Sequence, residues 1–123
     1  MQDVQISAKG TGAVPCIIAS GQSLSPEIDL EGFQLTGVAV PLGFSGSQIT
    51  FAAAERPGGT FVSVRDSTGA EIVVNVAASR VVAVGATTTV AYLRFWKIRS
   101  GTAAAPTTQA QAVRLLVLRK QGA

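Results

Sequence analysis

Apolar and polar residues alternate over short stretches of this chain, and glycine, serine and proline interrupt the alternation repeatedly. That is the pattern of short strands joined by tight turns. Residues 14–20 read as a strand that runs into a turn at Ser20-Gly21. Residues 23–30 form a second extended stretch, in which Ile28 and Leu30 alternate with Asp29. In residues 33–40, Phe33 and Leu35 share one face, and Val38 and Val40 follow after an interruption at Gly37. A glycine inside a strand predicts a bulge or the close approach of another backbone. Pro41 and Gly43 end this strand.

Residues 48–54 carry Ile49 and Phe51 on one face and lead into the turn cluster Glu55-Arg56-Pro57-Gly58-Gly59. Residues 61–65 alternate, with Phe61 to one side and Val62 and Val64 to the other. In the turn Asp66-Ser67-Thr68-Gly69, the aspartate bonds its own backbone and the glycine takes a positive φ. Residues 71–76 return from it, completing a hairpin, and residues 80–84 form another strand, stopped by Gly85. As a strand, residues 90–99 set Arg94, Trp96 and Ile98 on one face and Leu93, Phe95, Lys97 and Arg99 on the other. A polar loop over residues 101–111, containing Pro106, precedes a last strand at residues 112–120. Its run from Val113 to Leu118 is apolar apart from Arg114, which predicts an interior strand buried on both faces.

No stretch sustains a 3.6-residue apolar period over roughly eleven residues, and the alanines 103–105 are followed by Pro106, which disfavours helix before it. Eight or so strands in one unit must stack to cover their apolar faces. The predicted fold is therefore all-β: a two-sheet β-sandwich, jelly-roll-like, of about eight strands. With 123 residues and 47% apolar content, one domain over residues 13–123 can bury a core without staples, preceded by a polar N-terminal arm at residues 1–12. No apolar run approaches the roughly 20 residues of a membrane span. The opening Met1-Gln2-Asp3-Val4 does not read as a signal peptide, so synthesis in the cytoplasm with no membrane partner is expected.

The chemistry-bearing residues are sparse. The single cysteine, Cys16, lies in the run Val14-Pro15-Cys16-Ile17-Ile18 and reads as a small buried hydrophobe. There is no histidine, which removes the commonest general base and the commonest zinc ligand together. Gly58-Gly59 lacks the lysine and following helix of a phosphate-binding loop. Lys9, Lys97 and Lys120 sit in no recognisable serine–lysine motif. Glu27, Asp29 and Glu31 alternate and would project together from a strand; a solvated face is preferred there over a weak calcium site. Neither enzymatic activity nor a cofactor or metal is expected.

Net charge is +3, but its distribution is uneven. Residues 1–71 hold three basic and seven acidic side chains, net −4, whereas residues 72–123 hold seven basic and no acidic ones, net +7. Such asymmetry predicts an oriented field suited to an acidic partner surface or to the acidic part of a neighbouring copy. Tyr92, Phe95 and Trp96 beside arginines are the candidate stacking surface for nucleic acid, but core packing is the preferred role for Phe95 and Trp96, and the total charge is modest for such a binder.

Two passages carry a family likeness. The first runs Ile18-Ala19-Ser20-Gly21-Gln22-Ser23-Leu24-Ser25, then Ile28-Asp29-Leu30-Glu31-Gly32, to Gly37-Val38-Ala39-Val40-Pro41. The second is Leu93-Arg94-Phe95-Trp96-Lys97-Ile98-Arg99-Ser100-Gly101-Thr102, with Pro106, Gln109 and Ala110 following and Leu115 to Leu118 closing. Together they resemble small virion-associated proteins of tailed bacteriophages and prophages, some of them head decoration, or cement, proteins with β-sandwich folds. The resemblance implies a structural virion protein on the capsid surface, binding the major capsid protein and stabilising contacts between its subunits. It further implies a homo-oligomer, trimer or dimer, and neither catalytic residues nor a nucleic-acid partner. The candidate partner contacts are Arg94, Lys97, Arg99, Arg114, Arg119 and Lys120 in the basic half. A tail or collar component is one alternative. The other is a glycan-binding module of a receptor-binding apparatus, with Tyr92 and Trp96 as its sugar-stacking rings.

Overall fold

A computed structural model describes residues 11–31, 33–84 and 94–121, with side chains over 13–31, 35–84 and 94–119. Among them are nine strands: β1 (Thr11–Ile18), β2 (Ile28–Asp29), β3 (Phe33–Val40), β4 (Gln48–Ala54), β5 (Val62–Ser63), β6 (Val74–Asn75), β7 (Arg80–Ala83), β8 (Phe95–Ser100) and β9 (Val113–Gln121). One sheet has the order β1-β9-β3-β7, the other β2-β8-β4-β5, with β6 also on β4. Every pairing is antiparallel.

β5 pairs with Ala52 and Ala53, β6 with Gln48 and Ile49, and between them the Val64 N–H donates to the Phe51 carbonyl. The two are one strand interrupted by an excursion. Counted so, eight strands interleave between two four-stranded sheets in jelly-roll order; the two-sheet sandwich is as expected, while the order itself is not contained in the alternation. The excursion contains the expected hairpin turn. Asp66 Oδ1 accepts from the Thr68 and Ala70 N–H groups, Gly69 has φ +88°, and Arg65 bridges Glu71. Only the hairpin's tip is self-paired, because its roots are committed to β4.

Period-2 alternation sets the core. Cys16 and Ile18 of β1, Val113, Leu115 and Val117 of β9, and Leu35, Val38 and Val40 of β3 point inward from the first sheet. Ile49, Phe51 and Ala53 of β4 and Trp96 and Ile98 of β8 meet them from the second. At the centre Phe51 and Trp96 make an edge-to-face contact, centroids 5.9 Å apart and planes at 79°. The gap among Ile28, Leu30, Leu35, Phe51, Trp96, Ile98 and Val117 has no room for a water molecule.

Two sequence irregularities have local causes. Between Leu35 and Gly37 the β3–β9 register shifts, the predicted bulge. A Cβ at Gly37 would meet the Val82 carbonyl oxygen at 2.9 Å, so glycine also admits the close approach of β7. Residues 23–30 are extended, as expected, and run beside β8, but the ladder thins to a bridge at Leu24 and the two residues of β2, because Pro26 has no N–H to give. Ser25 compensates. Its buried hydroxyl accepts from the Ile98 N–H (3.0 Å) and donates to the Pro26 carbonyl (2.8 Å).

Three boundaries differ from the pattern reading. β1 already pairs at Thr11 and Gly12, two residues inside the expected arm, the rest of which (residues 1–10) lies outside the described residues. The strand expected at 90–99 is β8 from Phe95 to Ser100; residues 90–93 and the stop at Gly85 lie outside the described residues. β9 is interior by hydrogen bonding, between β1 and β3, but it is not buried on both faces: Arg114 is exposed and Leu116 and Leu118 are half-buried. No element covers that outer side among the described residues.

Replacing Phe51 by alanine removes half of the central aromatic contact from a core with no spare volume, and is expected to destabilise the fold by about 3–5 kcal/mol in denaturant titrations.

Candidate functional site

The six basic candidates do not converge on one surface. Arg94 precedes β8 and turns outward instead of sharing the inner face with Trp96, since a guanidinium has no place in the apolar interior. It lies over the Phe95 ring (5.4 Å) and forks onto Asp29 with bonds of 2.7 and 2.9 Å. Arg99, on the exterior of β8, pairs with Glu71 at 3.3 Å in a largely buried contact and reaches Thr50 Oγ1. Arg119 sits at the end of the core, donating to the Leu30 carbonyl and to Glu31 Oε1, both at 3.1 Å. Lys97 stands over the Phe61 ring, 4.6 Å from its centroid. Arg114 projects from the exterior of the other sheet and makes no ion pair among the described residues. The Lys120 side chain lies outside the described residues.

The charge asymmetry along the chain is thus partly neutralised within the fold. Each of the three ion pairs joins an acid from residues 1–71 to an arginine from residues 72–123. They also account for the alternating acids. Asp29 serves Arg94, Glu31 serves Arg119, and Glu27 Oε1 accepts from the Gly58 N–H (2.9 Å), so the three carboxylates have separate partners. Among the described residues no group of three metal-ligating side chains forms. The bond from Arg94, the bond from the Glu31 N–H and the neighbouring arginine charge outweigh slight burial and hold the Asp29 carboxyl below its ordinary range.

Cys16 is buried, and burial pushes its thiol above the ordinary value despite bonds to Ser25 and the Ile98 backbone, as fits a core residue. Trp96 is 1% exposed and packs in the core, as expected, whereas Phe95 is buried outside the core cluster, on the other face of β8 beneath Arg94. Trp96 therefore offers no stacking face to a sugar or a base; Tyr92 lies outside the described residues.

The loops at one end of the sandwich form a buried polar cluster. The Gln109 side chain accepts from the Ser45 N–H (2.8 Å) and donates to the Ser45 carbonyl (2.9 Å), while its backbone exchanges bonds with Gly21 and Gln22. The Ser100 hydroxyl donates to the Thr107 carbonyl, and the Gly101 N–H to the Gln48 carbonyl. Gly101 has φ +83°, and a Cβ there would come within 2.6 Å of Ala105 and Thr107 backbone atoms. The Ser100-Gly101, Pro106 and Gln109 positions are therefore structural closures of this end.

Two exterior features remain. An open groove of about 380 Å³ lies along the β4–β5 edge between Ala53, Glu55, Arg56 and Thr60. The second is the outside of the β1-β9-β3-β7 sheet, which pattern reading missed. Its rows are Ala13, Leu118, Gly37 and Ala83, then Pro15, Leu116, Ala39 and Val81, then Ile17 beside Arg114. The signal was present in residues 113–118, but it was read as burial on both faces. No protein-family model, curated protein or solved structure matches this chain.

Gln109→Ala strands the Ser45 N–H and carbonyl and is expected to cost about 1–3 kcal/mol in chemical denaturation. With its folded pKa below the unfolded value of about 3.9, Asp29 contributes stability that is present above that pH and lost as pH falls through the folded pKa. Thermal midpoints of Asp29→Asn should accordingly lie below wild type at neutral pH and converge with it in acid; a constant gap would mean the carboxylate charge is irrelevant.

Proposed function

We propose that this chain is a structural protein of a bacteriophage virion, a capsid decoration protein that binds the outer head surface and stabilises contacts between capsid subunits. The reading begins from the likeness of residues 18–41 and 93–118 to small virion-associated proteins. The observation that carries it further is the uncovered apolar exterior of the β1-β9-β3-β7 sheet, since a contiguous apolar face marks an interaction site. The role is one of binding. Decoration adds contacts between neighbouring shell subunits, so the shell resists expansion and rupture without any bond being made or broken. A symmetric oligomer would engage several equivalent sites, and weak contacts repeated around a symmetry axis sum to a firm attachment.

Quantitative mass spectrometry of purified particles should find the chain at a fixed, high ratio to the major capsid protein. Particles from a deletion mutant should release their genome at a lower temperature than wild type. Absence of the chain from purified particles would sink the reading.

A further inference from the structure

The four strands β1, β9, β3 and β7 contain no aspartate or glutamate. Every acidic side chain among the described residues belongs to the other sheet or its connections. On the exterior of the acid-free sheet, Ile17 is 51% exposed and Val81 70% exposed, and Leu116 and Leu118 are half-buried between them. Arg114, opposite Ile17 in the ladder, is exposed and makes no ion pair among the described residues. We infer that this face is the docking surface of the chain, and that its occupant is an apolar patch on a different protein carrying a carboxylate opposite Arg114. The inference deepens the virion reading and rests on it, the occupant then being the outer surface of the shell.

Charge decides between occupants. A second copy presenting the same face by a two-fold axis would offer Arg114 only strands without an aspartate or glutamate, and so no carboxylate from the face itself. A partner bearing an acid at that point satisfies Arg114 while the apolar rows are covered. Area points the same way. Three strands about 26 Å long and the four-residue β7 at about half that, spaced about 4.8 Å apart, offer a footprint of roughly 440 Å², against roughly 800 Å² per partner in a stable pairwise complex. Such a footprint is small for an isolated dimer, but it suits one contact of a set made on a repeating lattice. The manner of contact is restricted too. β1 is an open edge, and Pro15 at its middle has no N–H to offer an added strand. An added strand at the β1 edge is therefore disfavoured, which leaves the face as the broader contact.

The test uses particles made from the encoding genome with this gene deleted, to which purified chain is added and binding is read by co-sedimentation. Ile17→Glu and Val81→Glu should each weaken binding at least about thirtyfold, because each sets a carboxylate against an apolar surface. Arg114→Glu should weaken it and flatten its salt dependence. Arg56→Glu and Val62→Glu, exposed on the other layer, should bind like wild type. All five positions are exposed, and unchanged circular dichroism would show that the variants fold. If wild type binds and the face variants bind equally well, the docking surface is elsewhere and the inference falls alone. If wild type sediments as a dimer that the face variants dissociate, the occupant is a second copy and the inference is overturned. If wild type does not bind the particles at all, the virion reading falls and this inference with it.

Discussion

Two sheets that share one interior leave each strand a single choice of face, and the other properties of this protein are arranged around that constraint. The inward positions of β1, β9, β3, β4 and β8 are apolar, and the Phe51–Trp96 contact fills the centre. Polar groups enter the interior only with partners. The four buried polar residues, Ser25, Thr50, Ser100 and Gln109, each bond to backbone. Three of these four groups close the end of the sandwich where several loops meet, replacing bonds to water that burial removes. Sheet stacking and polar closure thus act on different parts of one fold, the first through area and the second through direction.

Charge follows the fold in the same way. Along the sequence the acids come early and the bases late, which reads as a polarised molecule. The jelly-roll path then brings late strands beside early ones, β8 against β2 and β9 against β1 and β3. Asp29 consequently meets Arg94, and Glu31 meets Arg119. Part of the linear asymmetry becomes local pairing, and exposed cations in no ion pair among the described residues, Arg114 beside Ile17 among them, keep an outward field.

This explains which features were legible in advance. Strands with clear alternation, β3 and β4, have the predicted bounds, and the turns at Ser20-Gly21 and residues 66–69 lie where glycine and aspartate indicated. The Gly37 bulge was legible because a strand glycine has few other uses. The fates of Arg94, Arg99 and Arg119 were not, since ion pairs between residues 28 to 88 positions apart depend on strand order, which local pattern does not contain. The exterior of β9 was misread for a related reason. A continuous apolar run looks the same whether its second face is covered by the same chain or by another one.

The two exteriors show what that difference means. On the outside of β4, Thr50, Ala52 and Ala54 are small and buried, because the segment from Gly59 to Glu71 lies across them through the Phe61–Lys97 and Glu71–Arg99 contacts. That side is finished by the chain itself. On the outside of β9 and its neighbours the side chains are larger, more apolar and uncovered. Threonine has similar β-propensity and would leave the inner face of the sandwich unchanged, so the stability of the fold does not call for Ile17, Leu116 or Val81. Isoleucine, leucine and valine at those positions cost solubility and return nothing within a lone molecule. Among the described residues nothing removes them from water, and a second surface doing so would give their arrangement a purpose, which supports the proposal that this domain is a component of an assembly.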